Sequence, residues 1–553
     1  MSASSKKKLR KENAAAQLTE KQRQAQAEAK KLRNISLAFT AIMLVVALTA
    51  ISILAVRAVN NSGIIDRNTI AAVAGEHELN SVQVNYYFND FVRNQYQQWQ
   101  SSFGTSANTY IQMMGLNVNK PLDEQVFDEE SGETWADYFL HSVLDSIKSD
   151  YALYDLAVAE NFQLSEEDQK NLEYNEAVLN YYATLYGYKN AKQYLKALYG
   201  HGADLESYNH YVKVSTIASA YYNKHKDELK YDDAAIRAHD EKHGNDYTSF
   251  SFAYYYASAS SYLTGGTKDD KGNTTYSEEE KAAALKAAED DAKILVESVD
   301  RAALNNAIAA LEINKEKQNV TSTVYEDTLY SGVPVVMQQW LADKDRAEGD
   351  ITIIPNESTS KDDEGNETKT TNGYYVVLFE GRNENLRHLA NVRHLLVKFE
   401  GGKTDSSGNT IYSDAEKAAA KAEAEQYLQT WKDGEATEDS FIALVKEHSD
   451  DGSAAEGGLF EDIHAASSLV ESFKSWAIDS TRKAGDTEVI VSEYGYHVMY
   501  YVGDGELTYR DYMITEDLRA EDMEKWLKGI TDAATITTVK TNRLNLDAII
   551  AYM

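Results

Sequence analysis

The chain of 553 residues has no cysteine, which excludes disulfides, thiolate zinc sites, cysteine nucleophiles and a lipidated cysteine anchor. Basic residues are also scarce. Fifty-five Lys and Arg face 88 Asp and Glu, a net charge of −33, which argues against nucleic acid as a partner because neutralising phosphates needs a basic face. Long apolar runs are missing with one exception, Ile35 to Val56, which carries no charge across 22 residues and is long enough to cross a hydrocarbon core as a helix. The 34 residues before it hold ten basic and three acidic groups, and the chain from Arg57 onward holds 45 and 85. That asymmetry predicts a basic cytoplasmic tail over 1–34, a transmembrane anchor over 35–56, and everything after it outside the membrane. The rival reading is a cleaved signal peptide, against which stand an overlong apolar region, an overlong leading region and no clean small-x-small site. A large acidic part outside a membrane, without disulfides, suits a Gram-positive cell surface.

The next stretch, 66–246, has helical spacing and abundant tyrosine, as in NSVQVNYYFNDFVRNQYQQW (Asn80–Trp99) and SEEDQKNLEYNEAVLNYY from Ser165. Such tyrosines serve either as the core of a helical domain or as a surface that grips peptides. HDEKH (His239–His243) has the two-histidine spacing of a metal helix but lacks the glutamate after the first histidine, so it reads as a solvated helix face. No metal and no cofactor are expected.

An internal repeat follows. GGTKDDKGNTTYSEEEKAAALKAA from Gly265 matches GGKTDSSGNTIYSDAEKAAAKAEA from Gly401 without a gap, at an offset of 136, and WLADKDRAEGD from Trp340 matches WAIDSTRKAGD from Trp476 at the same offset. Each unit reads as a strand, a polar loop, a helix opened by an S-x-x-E capping box, further helices, a Gly-Asp turn and closing strands. The expected fold class is therefore α+β: a helical domain followed by two tandem domains, each a small antiparallel sheet with surrounding helices. At the shared offset His394 faces Ser258 and Asp451 faces Lys315, and after an insertion in the first copy His497 faces Tyr375.

The second copy carries NVRHLLVKF (Asn391–Phe399), a helix leading into HSDDGSAAEGGLF (His448–Phe460), LVESFKSWAI (Leu469–Ile478) and SEYGYHVMYYVG (Ser492–Gly503). From Leu386 to Asp504 these residues resemble the parvulin-type (PpiC-like) peptidyl-prolyl cis-trans isomerases, in order and at family spacing. The resemblance implies His394, Asp451 and His497 as catalytic-site residues, and Leu469, Phe473, Leu459 and Tyr494 as proline-side contacts. One departure is that the family's G-G-D-L-G is GGLF here, Gly457–Phe460. AAVAGEHELNSVQVNYYF (Ala71–Phe88) and the tyrosine helices after it resemble the helical domain of SurA- and PrsA-type foldases, to which ITEDLRAEDMEKWLKGI (Ile514–Ile530) has the amphipathic pattern to return.

Rotating an amide costs roughly 18–20 kcal/mol, and no bond is broken, so no nucleophile is needed. An apolar slot for the pyrrolidine ring and a site complementary to the twisted amide suffice. The resemblance thus implies a membrane-anchored extracytoplasmic isomerase with chaperone activity, acting on unfolded or newly exported proteins with X-Pro bonds. The expected organisation is a helical chaperone-like domain over 66–246, a degenerate parvulin-like domain over 247–384, an isomerase domain over 385–504, and a segment over 505–553 packing on the helical domain. The alternative is a surface holdase without catalysis, whose parvulin folds only grip clients.

Overall fold

The computed structural model describes residues 2–268, 274–361, 367–405, 408–546 and 549. Parts of the two polar repeat loops and of the first-copy insertion therefore lie outside the described residues. The chain divides into two compact units, residues 1–229 with 522–553, and residues 230–521.

In the first unit, α1 (Ala3–Asn61) is a single helix, and its portion Lys30–Asn61 is long and apolar enough to cross a membrane. A hairpin follows, β1 (Ile70–Ala74) and β2 (His77–Asn80), turning at Gly75 in the left-handed region, and a late strand, Ile536–Thr538, pairs with β1. This part is thus not purely helical. Asn80 closes a capping box with Gln83 that starts α2 (Ser81–Phe103), and Thr134 does the same with Asp137 for α3 (Trp135–Ala159). Leu79, Phe88, Val92, Phe139, Val143 and Ile147 form the core between them. The helices α4 (Glu166–Leu185), α5 (Ala191–Tyr199) and α6 (Leu205–Glu228) complete the unit.

The tyrosines divide into two populations. Tyr86, Tyr87 and Tyr199 are buried, with Tyr199 and Tyr211 donating to the two carboxylate oxygens of Asp90 at 2.8 and 2.9 Å. Those are core. Tyr174, Tyr181, Tyr182 and Tyr186 are exposed.

The second unit begins with α7 (Asp233–His243), which groups here rather than with the helices before it. On α7 the His239 ring lies 2.8 Å from the Tyr247 hydroxyl, which donates to Asp517. The first sheet is built from β3 (Ser249–Ser258), β4 (Thr323–Leu329), β5 (Ile351–Lys361) and β6 (Glu367–Asn383), with α8 (Glu278–Leu295), α9 (Arg301–Ala310) and α10 (Val335–Leu341) between them. The second uses β7 (His388–Lys398), β8 (Leu459–Ile463), β9 (Thr487–Val491) and β10 (Gly495–Thr508), with α11 (Asp414–Asp433), α12 (Glu438–His448) and α13 (Glu471–Ala477). Both sheets are antiparallel and have the same strand order, β4-β3-β6-β5 and β8-β7-β10-β9. The helix α14 (Tyr509–Ala533) leads out.

Local details repeat as well. Ser277 with Glu280 and Ser413 with Glu416 both form capping boxes. Arg346 lies over Trp340 at 4.1 Å and Arg482 over Trp476 at 4.4 Å. Gly373 and Gly495 have φ of 152° and 158°, and a Cβ at either would strike a carbonyl oxygen of the neighbouring strand, at 2.3 and 2.1 Å. These two glycines fix the strand correspondence, and they correct one pairing. Gly373 faces Ser258 as Gly495 faces Lys398, so four residues further along β6 and β10 the counterpart of His394 is Tyr254, not Ser258. The cause is a four-residue turn, Ala259–Tyr262, which follows β3 and shifts the offset in the first strand.

Candidate active site

Strand alternation sends Leu395, Val397, Val498 and Tyr500 to one face of the second sheet, where they pack on Ala420, Ala424, Trp431, Phe441 and Val445 of α11 and α12. His394 and His497 fall on the other face. There Val392, Met499, Tyr501 and Ile463 pack against Phe473 and Trp476 of α13. Both histidines are buried, 2% and 4% exposed. They sit on adjacent strands, diagonal to one another, because His394 is opposite Met499 and His497 opposite Leu396.

The two rings are joined at Nδ1 to Nδ1, 3.0 Å apart, so one must donate and the other accept. His497 Nε2 lies 2.7 Å from Ser492 Oγ, and His394 Nε2 lies 3.5 Å from Asp451 Oδ1. One direction of donation suits all three contacts, although the last, at 3.5 Å, is an ion-pair distance and leaves His394 Nε2 without a formed hydrogen bond. Ser492 donates to His497 Nε2, His497 Nδ1–H donates to His394 Nδ1, and His394 Nε2–H points at the Asp451 carboxylate. The carboxylate also accepts from Ser453 N–H at 2.9 Å and Ser453 Oγ–H at 2.6 Å. The His394 ring, then Ser453, hold the Asp451 carboxyl well below the usual carboxylate range, so it is ionised. Burial pushes the His497 imidazole down from 6.5 to about 4, helped by His394 and opposed by Asp451, so His497 is neutral near pH 7.

Phe473 sets its ring edge-on to both imidazoles, 5.0 Å from His394 and 5.7 Å from His497, and Phe460 lies 5.2 Å from His394 and 5.5 Å from Phe473. Leu469 is half-buried against the same cluster. The structure therefore brings together His394, Asp451, His497, Phe473 and Leu469. Tyr494 is placed differently: its side chain is 57% exposed and only its N–H reaches the group, donating to Ser492 Oγ at 3.1 Å. Leu459 is opposite Arg393, and strand alternation turns its neighbour Phe460 toward the histidines instead. Phe460, Ser453 and Ser492 are thus site residues that motif reading passed over. The hydroxyl at Ser492 had a visible signal, five residues before His497 and just ahead of the turn.

The shortened glycine loop has a structural task. Gly458 takes φ of 67°, a Cβ there would lie 2.2 Å from His394 O, and its own carbonyl accepts from His394 N–H at 3.0 Å. Gly458→Ala should therefore cost more than about 2 kcal/mol, combining left-handed backbone strain with overlap against main chain that cannot rotate away. A denaturant melt that finds it neutral would contradict this account of the loop.

In the first sheet the corresponding positions are tyrosines. Tyr254 and Tyr375 meet edge-on at 5.6 Å, Tyr256 stacks on Tyr375 at 4.5 Å, and Met337 stands where Phe473 does.

Residues 394–503 match the family model described as Rotamase, PPIC-type PPIASE domain. This segment is a parvulin-type peptidyl-prolyl isomerase domain. No curated protein matches the chain. Among solved structures it is similar to PrsA from Bacillus anthracis, with 19% identity over 27% of this chain and 59% of that one, at a TM-score of 0.17. It is likewise similar to PrsA from Bacillus subtilis, with 19% identity over 29% and 54%, TM-score 0.18, and to the PPIase domain of TbPar42, with 24% over 20% and 98%, TM-score 0.17. The chain thus spans a little over half the length of the PrsA structures it matches.

Within the isomerase domain the arrangement suits rotation rather than bond cleavage. The buried ring of Phe473 and the half-buried Phe460 and Leu469 offer an apolar wall to a pyrrolidine. The Asp451 carboxylate, 28% exposed, stands at its border as a fixed negative charge. A twisted amide loses conjugation, its nitrogen becomes pyramidal, and its oxygen sheds negative charge. A fixed carboxylate beside that oxygen lowers the stability of the planar, more polar ground state relative to the twisted one.

Proposed function

We propose that the chain is a membrane-anchored extracytoplasmic foldase that isomerises X-Pro bonds in exported proteins. Residues 385–504 are its working domain, with His394, Asp451 and His497 behind the slot of Phe473, Leu469 and Phe460. Residues 247–384 are a second parvulin-like copy that keeps the scaffold and has lost the site, and the helical part holds unfolded clients. The observation that carries the reading is the buried relay from Ser492 through both histidines to an ionised Asp451, set beneath apolar rings inside a matched isomerase domain.

The direct test is a coupled or NMR exchange measurement on a short X-Pro peptide with the chain from residue 57 onward. Acceleration well above the uncatalysed rate is expected, and none would sink the reading. Topology has its own test, motivated by the +7 tail before the apolar span: ten basic minus three acidic groups over residues 1–34. Protease added outside intact wall-less cells should digest the bulk and spare a short fragment containing the apolar helix. Complete protection would rule out an external domain.

A further inference from the structure

One wall of the apolar slot stands on a loop. Phe460 lies on β8 and Phe473 on α13, but Leu469 belongs to the connection between them, residues 464–470. Ala465, Ala466 and Ser468 of that connection are exposed, so little apolar burial holds it in place. Its hydrogen bonds are local. His464 N–H donates to Ser467 Oγ at 2.9 Å, Ser467 N–H to His464 O at 3.0 Å, and Leu469 N–H to Ser467 O at 2.8 Å. They tie Leu469 to His464.

What seats His464 lies beyond the matched segment. Ile463 pairs with Ala390 and Phe460 with Val392, so β8 carries one residue more than β7 and bulges there. Asp462 takes φ of 54° in the bulge, and its N–H donates to Asn391 Oδ1 at 2.9 Å. The chain leaves the bulge with Ile463 in the core and the His464 ring on α14. That ring stacks on Tyr509 at 4.6 Å and 14°, and lies 5.0 Å from Tyr512. Its buried Nδ1 has no hydrogen-bond partner among the described residues, so stacking is what seats it. Burial pushes the imidazole down, opposed by Asp462 and helped by Lys474, so the stacked ring is neutral near pH 7.

The start of α14 is itself pinned. Tyr509 N–H donates to Arg387 O at 2.8 Å, and the buried Arg510 reaches Asp240, Thr248, Glu384 and Gly244 O. The first copy supplies a control. It has the same bulge, with Asp327 at φ of 42°, but two residues further on stands Leu329 where the second copy has His464. The bulge is therefore scaffold, and the ring belongs to the copy that keeps the site.

We propose that His464 and Tyr509 are positioning residues of the isomerase site, their stack setting the loop that holds Leu469 against the proline ring. The proposal rests on the reading of residues 385–504 as the working domain. It makes the first turn of α14 part of the site, although the isomerase match ends at Gly503.

The test is isomerisation of a four-residue X-Pro peptide by the full chain in detergent micelles. Tyr509→Ala and His464→Ala should each raise KM at least threefold and leave kcat within twofold, because a wall of the slot is loosened while Asp451 is untouched. His464→Phe and Tyr509→Phe keep a flat ring and should restore the native KM. Leu469→Ala should raise KM as well, and adding Tyr509→Ala to it should raise KM no further, since one acts through the other. Losses that multiply in the double variant would overturn the proposal. So would a native KM in Tyr509→Ala with only the melting temperature lowered, the mark of a merely structural stack. Hydrogen exchange over residues 464–470 needs no activity: it should quicken at least fivefold in Tyr509→Ala, and unchanged exchange would also overturn the proposal. An unaltered chain that fails to isomerise the peptide defeats the working-domain reading instead, and exchange still reports on the stack.

Discussion

Replacing Asp451 by Asn in the otherwise intact chain should lower kcat/KM for an X-Pro peptide by about two to three orders of magnitude, the usual scale for removing one preorganised electrostatic group. Asparagine keeps an oxygen to accept from Ser453 N–H, which the aspartate now does at 2.9 Å at the start of a short helical turn, Gly452–Glu456. It removes the charge faced by His394 Nε2. The fold should be kept and the melting temperature should fall, because the stability that comes with the ionised carboxylate goes with the charge, so the rate is read well below the melting range. Asp451→Ala should show the same rate loss with a further stability cost of about 1 kcal/mol, because the turn loses its cap. What remains in either variant should be unaffected by Tyr375→Ala, because residues 247–384, with tyrosines at the two histidine positions, should add nothing. Full activity in both variants would refute the assignment of Asp451, and a large residual abolished by Tyr375→Ala would move the site to the first copy.

The second large effect is acid sensitivity. In the unfolded chain His497 titrates near 6.5, and in the folded chain only near 4. Above 6.5 both states leave it neutral and it contributes nothing to pH dependence. Between 6.5 and 4 the unfolded chain binds a proton that the folded chain refuses, so stability falls as pH falls. The loss is complete at about pH 4 and amounts to about 3 kcal/mol for a shift of this size. Asp451 adds a separate, lower window. Its folded carboxyl lies below the unfolded value of 3.8, so its contribution is intact above that value and is lost as pH falls further. His464, also pushed down by burial, acts in the same direction as His497. Urea midpoints for the unit around β7 to β10 at pH 7, 5.5 and 4.5 should decline steadily. A flat series would mean that His497 is not held neutral by its surroundings.

Much of the site is legible in the sequence because histidine is a poor strand filler. His394 and His497 stand out against the Val, Leu and Tyr around them, and the helix-to-loop count reaches Asp451. What the sequence does not display is register. Leu459 and Phe460 differ by one position, and only the pairing of Arg393 with Leu459 decides which of the two turns toward the histidines. Ser492 lies outside any periodic element, so pattern carries no weight there and its role comes from the turn alone. The repeat was visible through its capping boxes and Gly-Asp turns, yet the same offset misplaced the first strand. A four-residue turn after it leaves no mark on hydrophobic pattern, and only the close-contact glycines Gly373 and Gly495 restore the alignment. The tyrosines show the limit of composition. Tyr86 and Tyr182 belong to similar helical patterns, and what sends one inside and the other out is the packing of neighbouring helices.

The first unit is assembled from both ends of the chain: Ala72 pairs with Thr538, and Tyr221 packs with Trp526. Everything between residues 230 and 521 is an insertion into it. A chain delivered from its N-terminus exposes α2 to α6 early but cannot close the sheet on β1 until its last few dozen residues arrive, whereas the second unit is contiguous and can finish first. Through part of each round of synthesis the first unit therefore stays open while the second is already complete. The isomerase domain can then be complete while the first unit still lacks its final strand.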